Sequence, residues 1–214
     1  MKAITLDANS EAIKYLSGKD KRLAEVIRKI GPISYAPHAD YFAFLVYEII
    51  EQMLSIKAGA KIYERLKGLC GGAITPRAIK GLTDEAVKSC GTSGPKVNYI
   101  RSLTQAVLSG ELDFNALPAL TDAEAMKQLT RVRGIGRWTA KMFLIFCLDR
   151  QDILPYEDVA FLQGYAWLYK TKDRSRKAVE ERCRKWKPYS SIAARYLYEA
   201  RDAGLTKTEF RLPL

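Results

Sequence analysis

The sequence predicts an all-α fold, and three observations lead there. Apolar residues recur at helical spacing along most of the 214 residues. Alternating strand patterns are scarce, and no strand–helix–strand rhythm runs through the chain. Short turns rich in glycine and proline, at Gly71-Gly72, Gly91 to Pro95 and Pro155, separate the helical stretches. With no repeat, low-complexity tract or long linker, residues 1–214 read as one domain built of helical lobes.

The N-terminus, MKAITLDANSEAIKYL, lacks the uninterrupted apolar core of a secretory signal. In YFAFLVYEIIEQMLSIKAGAKIYERL (41–66) the residues Leu45, Ile49, Met53 and Ile56 recur at helical spacing and predict a helix. VNYIRSLTQAVLSG (97–110) repeats the pattern, with Gly110 placed to end it. Thr121-Asp122-Ala123-Glu124 reads as a capping box that opens a helix through Leu129. A further helix is expected from Arg137 to Leu148, and another over SIAARYLYEARDAG (191–204), ending at Gly204.

Lysine and arginine number 35 against 24 acids, a formal charge of +11. That excess favours a polyanionic partner such as nucleic acid, or an anionic membrane surface. The stretch 170–195 holds ten Lys/Arg against three acids, +7, and reads equally as a DNA-facing surface or a solvated helix face. The longest apolar runs, such as MFLIFCL (142–148), are too short to span a bilayer, so a cytosolic protein is expected, or a nuclear one in a eukaryote. Cys70, Cys90, Cys147 and Cys183 are scattered with no CxxC pair, which argues against zinc, an iron–sulfur cluster or a disulfide framework. They are expected to be reduced and partly buried.

VRGIGRWTAK (132–141) puts Gly134 and Gly136 one residue apart at the start of a helix. Glycines permit a tight turn between two helices and leave no side chain in the way. The backbone N–H groups that open the second helix are unpaired, so a phosphate oxygen fits there. Arg133, Arg137 and Lys141 add charge, and Thr139 offers a hydroxyl. Thr92, Ser93 and Lys96, in a turn opening a helix, form either a second phosphate grip or a helix cap. The single histidine, His38, sits in a proline-containing loop with no histidine partner, which favours a structural or exposed role.

LTRVRGIGRWTAKMFLIF, followed at the right interval by LPYED, resembles the helix-hairpin-helix and Gly/Pro-rich loop with aspartate of the HhH-GPD superfamily of DNA glycosylases. EQMLSIKAGAKIYERL, GTSGPKVNYIRSL and RKWKPYSSIAARYLY resemble further segments, so the likeness covers roughly 40 to 200. Within the superfamily it is closest to the 3-methyladenine DNA glycosylase II branch. The resemblance implies a middle helical lobe of about 40–117. The N-terminal segment and 118–214 then form a second lobe, with the hairpin at 122–148 and an active-site cleft between the lobes. It implies a monomer acting on double-stranded DNA with damaged bases, cytoplasmic and nucleoid-associated, or nuclear.

Asp158 falls on the family's catalytic aspartate, with Glu157 where an aspartate is common; the alternative, that Asp158 only caps the next helix, is compatible with catalysis. A carboxylate suits the reaction, because loss of a base builds oxocarbenium-like charge on the sugar, and a fixed anion stabilises it while orienting or activating water. Met53 matches the family's apolar duplex wedge, although an apolar residue at helical spacing is ordinarily core, and Gln52 beside it would meet the opposing strand. Trp138, Met142 and Tyr198 match base-pocket positions, where an aromatic ring favours a cationic purine. Tyr47, Trp167 and Trp186 are aromatics without a firm role. Strand-cutting members resemble GxGxKTA where this chain has GRWTA, so no Schiff-base lysine is implied. Backbone carbonyls of Thr130, Val132 and Ile135 would hold a structural Na+ or K+, with no other cofactor required. Two alternatives stay open: a non-catalytic DNA-binding protein, and a glycosylase for deaminated or oxidised bases.

Overall fold

The computed structural model describes residues 3–212. In chain order these form strand β1 (Ile4–Leu6), helices α1 (Glu11–Lys19) and α2 (Lys21–Ile30), and strand β2 (Ile33–Tyr35). Next come α3 (Tyr41–Glu51), α4 (Ile56–Leu69), α5 (Pro76–Gly81), α6 (Asp84–Ser89) and α7 (Gly94–Leu108). The chain continues with α8 (Asp122–Arg131), α9 (Arg137–Phe146), α10 (Val159–Tyr169), α11 (Arg176–Cys183) and α12 (Ser190–Asp202). The class is all-α, as expected. The small antiparallel pair β1–β2, with Leu6 opposite Ile33, was not legible because three residues per strand are too few to show alternation. Among the described residues no helix is long and apolar enough to cross a membrane.

Two compact units result: the chain before His38 together with the chain from Asp149 onward, and His38–Leu148. In the first unit α12 packs on α2 and α10. Leu16, Leu23, Val26, Phe161, Tyr165 and Leu197 lie fully buried in its core. Asp20 organises this core. It caps α2 by accepting from the N–H groups of Arg22 at 3.0 Å and Leu23 at 3.3 Å. It also accepts from the Tyr169 hydroxyl and from Trp186 Nε1 at 2.9 Å, and Lys185 Nζ lies 3.1 Å away. Burial raises the Asp20 pKa, but these donors and the ammonium outweigh it and hold the carboxyl below its ordinary range.

The start of α12 secures the segment that leads to Asp158. Ser190 Oγ donates to Asp152 at 2.5 Å, and the Ser191 N–H donates to the Gln151 carbonyl at 2.9 Å. Ser191 Oγ accepts from the Ile153 N–H at 2.9 Å. Nearby, the Arg195 guanidinium lies 3.7 Å from the Tyr35 ring centre, and the Tyr35 hydroxyl donates to Asp149 at 3.1 Å. Burial first, and the Asp149 carboxylate with it, push the Tyr35 hydroxyl up to about 12.

In the second unit α3 packs against α4, α7 and α9, and α8 pairs with α9. Phe143 of α9 anchors an aromatic cluster, 5.0 Å from Tyr41 and 6.2 Å from both Phe44 and Phe114, ring centre to ring centre. This packing corrects the expected lobe boundary. The hairpin at 122–148 belongs with 38–121, because the apolar side of α9 is spent on α3 and Phe114.

A second correction concerns 41–66. One helix was expected there; α3 stops at Glu51 and α4 starts at Ile56, with Ser55 as its cap. Leu45 and Ile49 are fully buried, whereas Met53 is 101% exposed and Ile56 59%. The four thiols are free, with Cys90, Cys147 and Cys183 buried and Cys70 partly so, as expected. Two of the unassigned aromatics serve the first unit: Trp186 bonds Asp20, and Trp167 Nε1 donates to the Thr208 carbonyl at 2.7 Å. Tyr47 serves the second, its hydroxyl donating to Glu51 at 2.8 Å.

Candidate nucleic-acid interface

The capping box forms as read: the Thr121 N–H donates to Glu124 at 2.9 Å, and the Glu124 N–H to Thr121 Oγ1 at 3.3 Å. α8 ends at Arg131, and the link to α9 is folded by an Ile135 N–H donating to the Val132 carbonyl at 3.0 Å. Ile135 is buried beneath the turn. The two glycines differ. Gly134 has φ +97, and a Cβ built there would fall inside Tyr99. Gly136 has φ −85, open to any residue, and a Cβ there would meet nothing within 4 Å. Of the two glycines, only Gly134 uses backbone angles closed to other residues.

Gly136 is the N-cap of α9 and has no side chain with which to bond the first-turn N–H groups. Around it lies a groove of about 470 Å³, lined among others by Gln52, Tyr99, Arg133, Gly134 and Trp138. Arg133 and Arg137 are exposed, and Trp138 is half-buried. The sequence reading missed Tyr99, which floors the corner under Gly134. Its only signal was an aromatic in the first turns of α7, and nothing local tied it to the hairpin.

The turn between α3 and α4 meets the same groove. Gln52 Nε2 donates to the Gly134 carbonyl at 3.0 Å and lies 3.4 Å from Thr139 Oγ1. Its side chain is thus held by the hairpin, which departs from the expected contact with an opposing DNA strand. Met53 follows, at φ +60 and with its side chain wholly in solvent. Leu54 is 42% exposed, so the turn presents an apolar knuckle to solvent. By sequence Lys96 reads, with Thr92 and Ser93, as part of a phosphate grip or of a helix cap. Its ammonium instead donates to the carbonyls of Ile50 and Gln52, both at 2.7 Å. Burial lowers its pKa.

Residues 46–188 match the HhH-GPD superfamily of base excision DNA repair proteins. This chain belongs to that superfamily. A DNA-3-methyladenine glycosylase of Schizosaccharomyces pombe is 30% identical over 192 residues, which are 86% of this chain and 84% of that one. The crystal structure of a DNA-3-methyladenine glycosidase from Bacillus halodurans superposes with a TM-score of 0.85 at 34% identity, covering 98% of this chain and 97% of the other. The Schizosaccharomyces pombe 3-methyladenine DNA glycosylase in complex with abasic DNA superposes at 0.82 with 29% identity, over 90% of this chain and 97% of that one.

In this HhH-GPD chain the remaining predicted residues separate by exposure. Thr139, Lys141 and Met142 are buried, at 1%, 7% and 4% exposure. They belong to a run of seven consecutive buried residues, Thr139 to Ile145, so α9 is enclosed on every side and not only where it packs on α3. Lys141 and Met142 are thus withdrawn from the open surface, and the Thr139 hydroxyl faces Gln52. Thr92 is buried too, and Ser93 is the exposed N-cap of α7 without a side-chain capping bond. Thr130, Val132 and Ile135 all line the groove. Tyr198 is half-buried on α12, and His38 is exposed, with its ring 5.0 Å from that of Phe44.

Asp158, in the first unit, is half-buried and caps α10, its Oδ1 accepting from the Phe161 N–H at 2.7 Å. Pro155 stops the preceding segment and its carbonyl accepts from the Asp158 N–H at 2.9 Å. The cap holds the carboxylate at the positive end of α10. Glu157 beside it is also half-buried.

Proposed function

We propose that this HhH-GPD protein is a monofunctional DNA glycosylase that removes alkylated purines, of the 3-methyladenine and 7-methylguanine kind, from duplex DNA. The observation that carries this reading is Met53. An apolar side chain held wholly in solvent on left-handed backbone adds nothing to the core. It suits the gap left in a duplex when a nucleotide turns out of the stack. The names of the relatives support the substrate class.

The chemistry follows from the parts. The uncapped first turn of α9 and the exposed Arg133 and Arg137 would hold a phosphate, approached closely where Gly136 has no Cβ. The extruded purine is already cationic and leaves readily, so protonation of the leaving group is unnecessary. Asp158 would stabilise the oxocarbenium-like sugar and orient or activate a water. Trp138 would stack on the base. With tryptophan and not lysine at that position no Schiff base forms, and the product is an abasic site. Carbonyls of Thr130, Val132 and Ile135 would suit Na+ or K+, since carbonyl oxygen is a hard donor with two lone pairs and Val132 commits one to Ile135. Such an ion would offset phosphate charge at the turn. No other cofactor is required, and the protein acts as a monomer on chromosomal DNA.

The test is release of free base from methylated duplex DNA, compared with Asp158→Asn. Asparagine keeps the cap of α10. The variant is expected to bind an abasic-analogue duplex as the parent does and to release base at least about 100-fold more slowly. Binding by both proteins with release by neither sinks the enzyme reading. Faster release of hypoxanthine or uracil than of 3-methyladenine, from matched duplexes, sinks the substrate assignment.

A further inference from the structure

We propose that Lys96 is a positioning residue that seats the Met53 wedge and does not grip DNA. This rests on the glycosylase reading above. Lys96 lies in the first turn of α7, where the positive end of the helix disfavours a cation. Its ammonium is satisfied elsewhere: the carbonyls of Ile50 and Gln52, each at 2.7 Å, belong to the last turn of α3 and the residue just beyond it. Those carbonyls form the negative end of α3 and have no partner further along the helix. A single charged group thus joins the positive end of one helix to the negative end of another, with the short, strong bonds expected of a charged donor.

The consequence falls on the next residue. Gln52 is held twice, its carbonyl by Lys96 and its side chain by the Gly134 carbonyl at 3.0 Å. Met53 then leaves Gln52 at φ +60, a conformation that a residue with a Cβ keeps only when its surroundings over-determine it. Met53 has no packed side chain to supply that constraint, since it is wholly exposed. The constraint comes from its neighbours, and among them the ammonium is the group that ties α7 to both carbonyls. Removing it frees the end of α3, and the wedge relaxes while the hairpin corner stays in place.

Lys96→Met keeps the stem and removes the charge. Two duplexes are compared over a range of salt: one undamaged, and one with a tetrahydrofuran abasic analogue opposite 2-aminopurine. Lys96→Met is expected to bind undamaged duplex within about twofold of the parent with the same salt slope, because no phosphate contact is lost. Its preference for the abasic duplex should fall about tenfold, the scale of a lost charge-assisted pair, and the 2-aminopurine signal should fall with it. Adding Met53→Ala to Lys96→Met should cost nothing more, because both act through one wedge. A uniform loss on both duplexes, with the salt slope reduced by about 0.9, would make Lys96 a phosphate contact and overturn the proposal. So would full additivity with Met53→Ala. If Lys96→Met does not fold, Lys96→Gln takes its place and keeps an uncharged amide N–H2 donor: a partial loss of preference at unchanged slope supports the proposal, and a reduced slope refutes it. Base release by the parent is measured alongside. If the parent releases none while Lys96→Met still loses the abasic preference, the glycosylase reading fails and the positioning role stands.

Discussion

Gly134 and Gly136, with only Ile135 between them, answer to different constraints. Gly134 is required by the protein itself, since its backbone is left-handed and Tyr99 occupies the space of a side chain. Gly136 is not required by the protein: its angles are ordinary and the space is open. At Gly136 the missing Cβ leaves the first turn of α9 open to a group from outside the fold. Gly134→Ala is therefore expected to cost about 3 kcal/mol of stability, from strained backbone and the displaced ring, seen as a lower urea midpoint. Gly136→Val should leave stability within about 1 kcal/mol of the parent and weaken binding to every DNA sequence alike, because the contact is to phosphate. Loss confined to one sequence in a titration series would contradict this.

At the scale of the element, caps and junctions decide which side chains are available. The cap role and the proposed catalytic role of Asp158 are compatible, because one carboxylate can accept an N–H and still carry its charge. Asp20 shows the structural use of the same residue type. It caps α2 and receives Tyr169 from the end of α10 and Trp186 from the turn after α11. Its pKa is depressed in the fold, so its contribution is present above the unfolded value, near 4, and is lost as pH falls below that. Asp20→Asn should lower stability by about 3 kcal/mol at pH 7, and the gap from the parent should close below about pH 4. Thermal melts of both proteins across pH 3 to 7 would show it; a gap that widens in acid would reverse the sign and refute it.

For the whole molecule, the charge of +11 sets a long-range attraction to a polyanion, yet much of the basic C-terminal stretch is committed internally. Lys170 pairs with Glu209 at 2.7 Å and Lys185 with Asp20 at 3.1 Å. Arg176 lies over Tyr156, and Arg195 over Tyr35. The DNA footprint is accordingly smaller than the count of cations suggests. Lys185→Met should cost stability and leave the salt dependence of DNA binding unchanged. Arg133→Ala and Arg137→Ala should each reduce the slope of log affinity against log salt by about 0.9 and leave stability within about 0.5 kcal/mol. Binding isotherms at four salt concentrations, beside urea curves, test both halves; a slope that drops for Lys185→Met and not for the arginines would overturn the division.

Much of this was legible in the residues alone. The period of the apolar positions determined the all-α class, the capping box at Thr121 and the helix after Gly136, because these follow from contacts within a turn or two of chain. The order of hairpin, apolar helix and LPYED determined the family. Tertiary structure decided the rest, because burial and partner choice depend on segments distant in sequence. Met53 and Ile56 keep the spacing of a core and lie in water, since α3 stops two residues before Met53. Lys141 is buried because α9 is enclosed on every side from Thr139 to Ile145, and Lys96 spends its charge on carbonyls some 45 residues away in sequence. A lysine in a sequence shows a charge; only the fold shows what that charge meets.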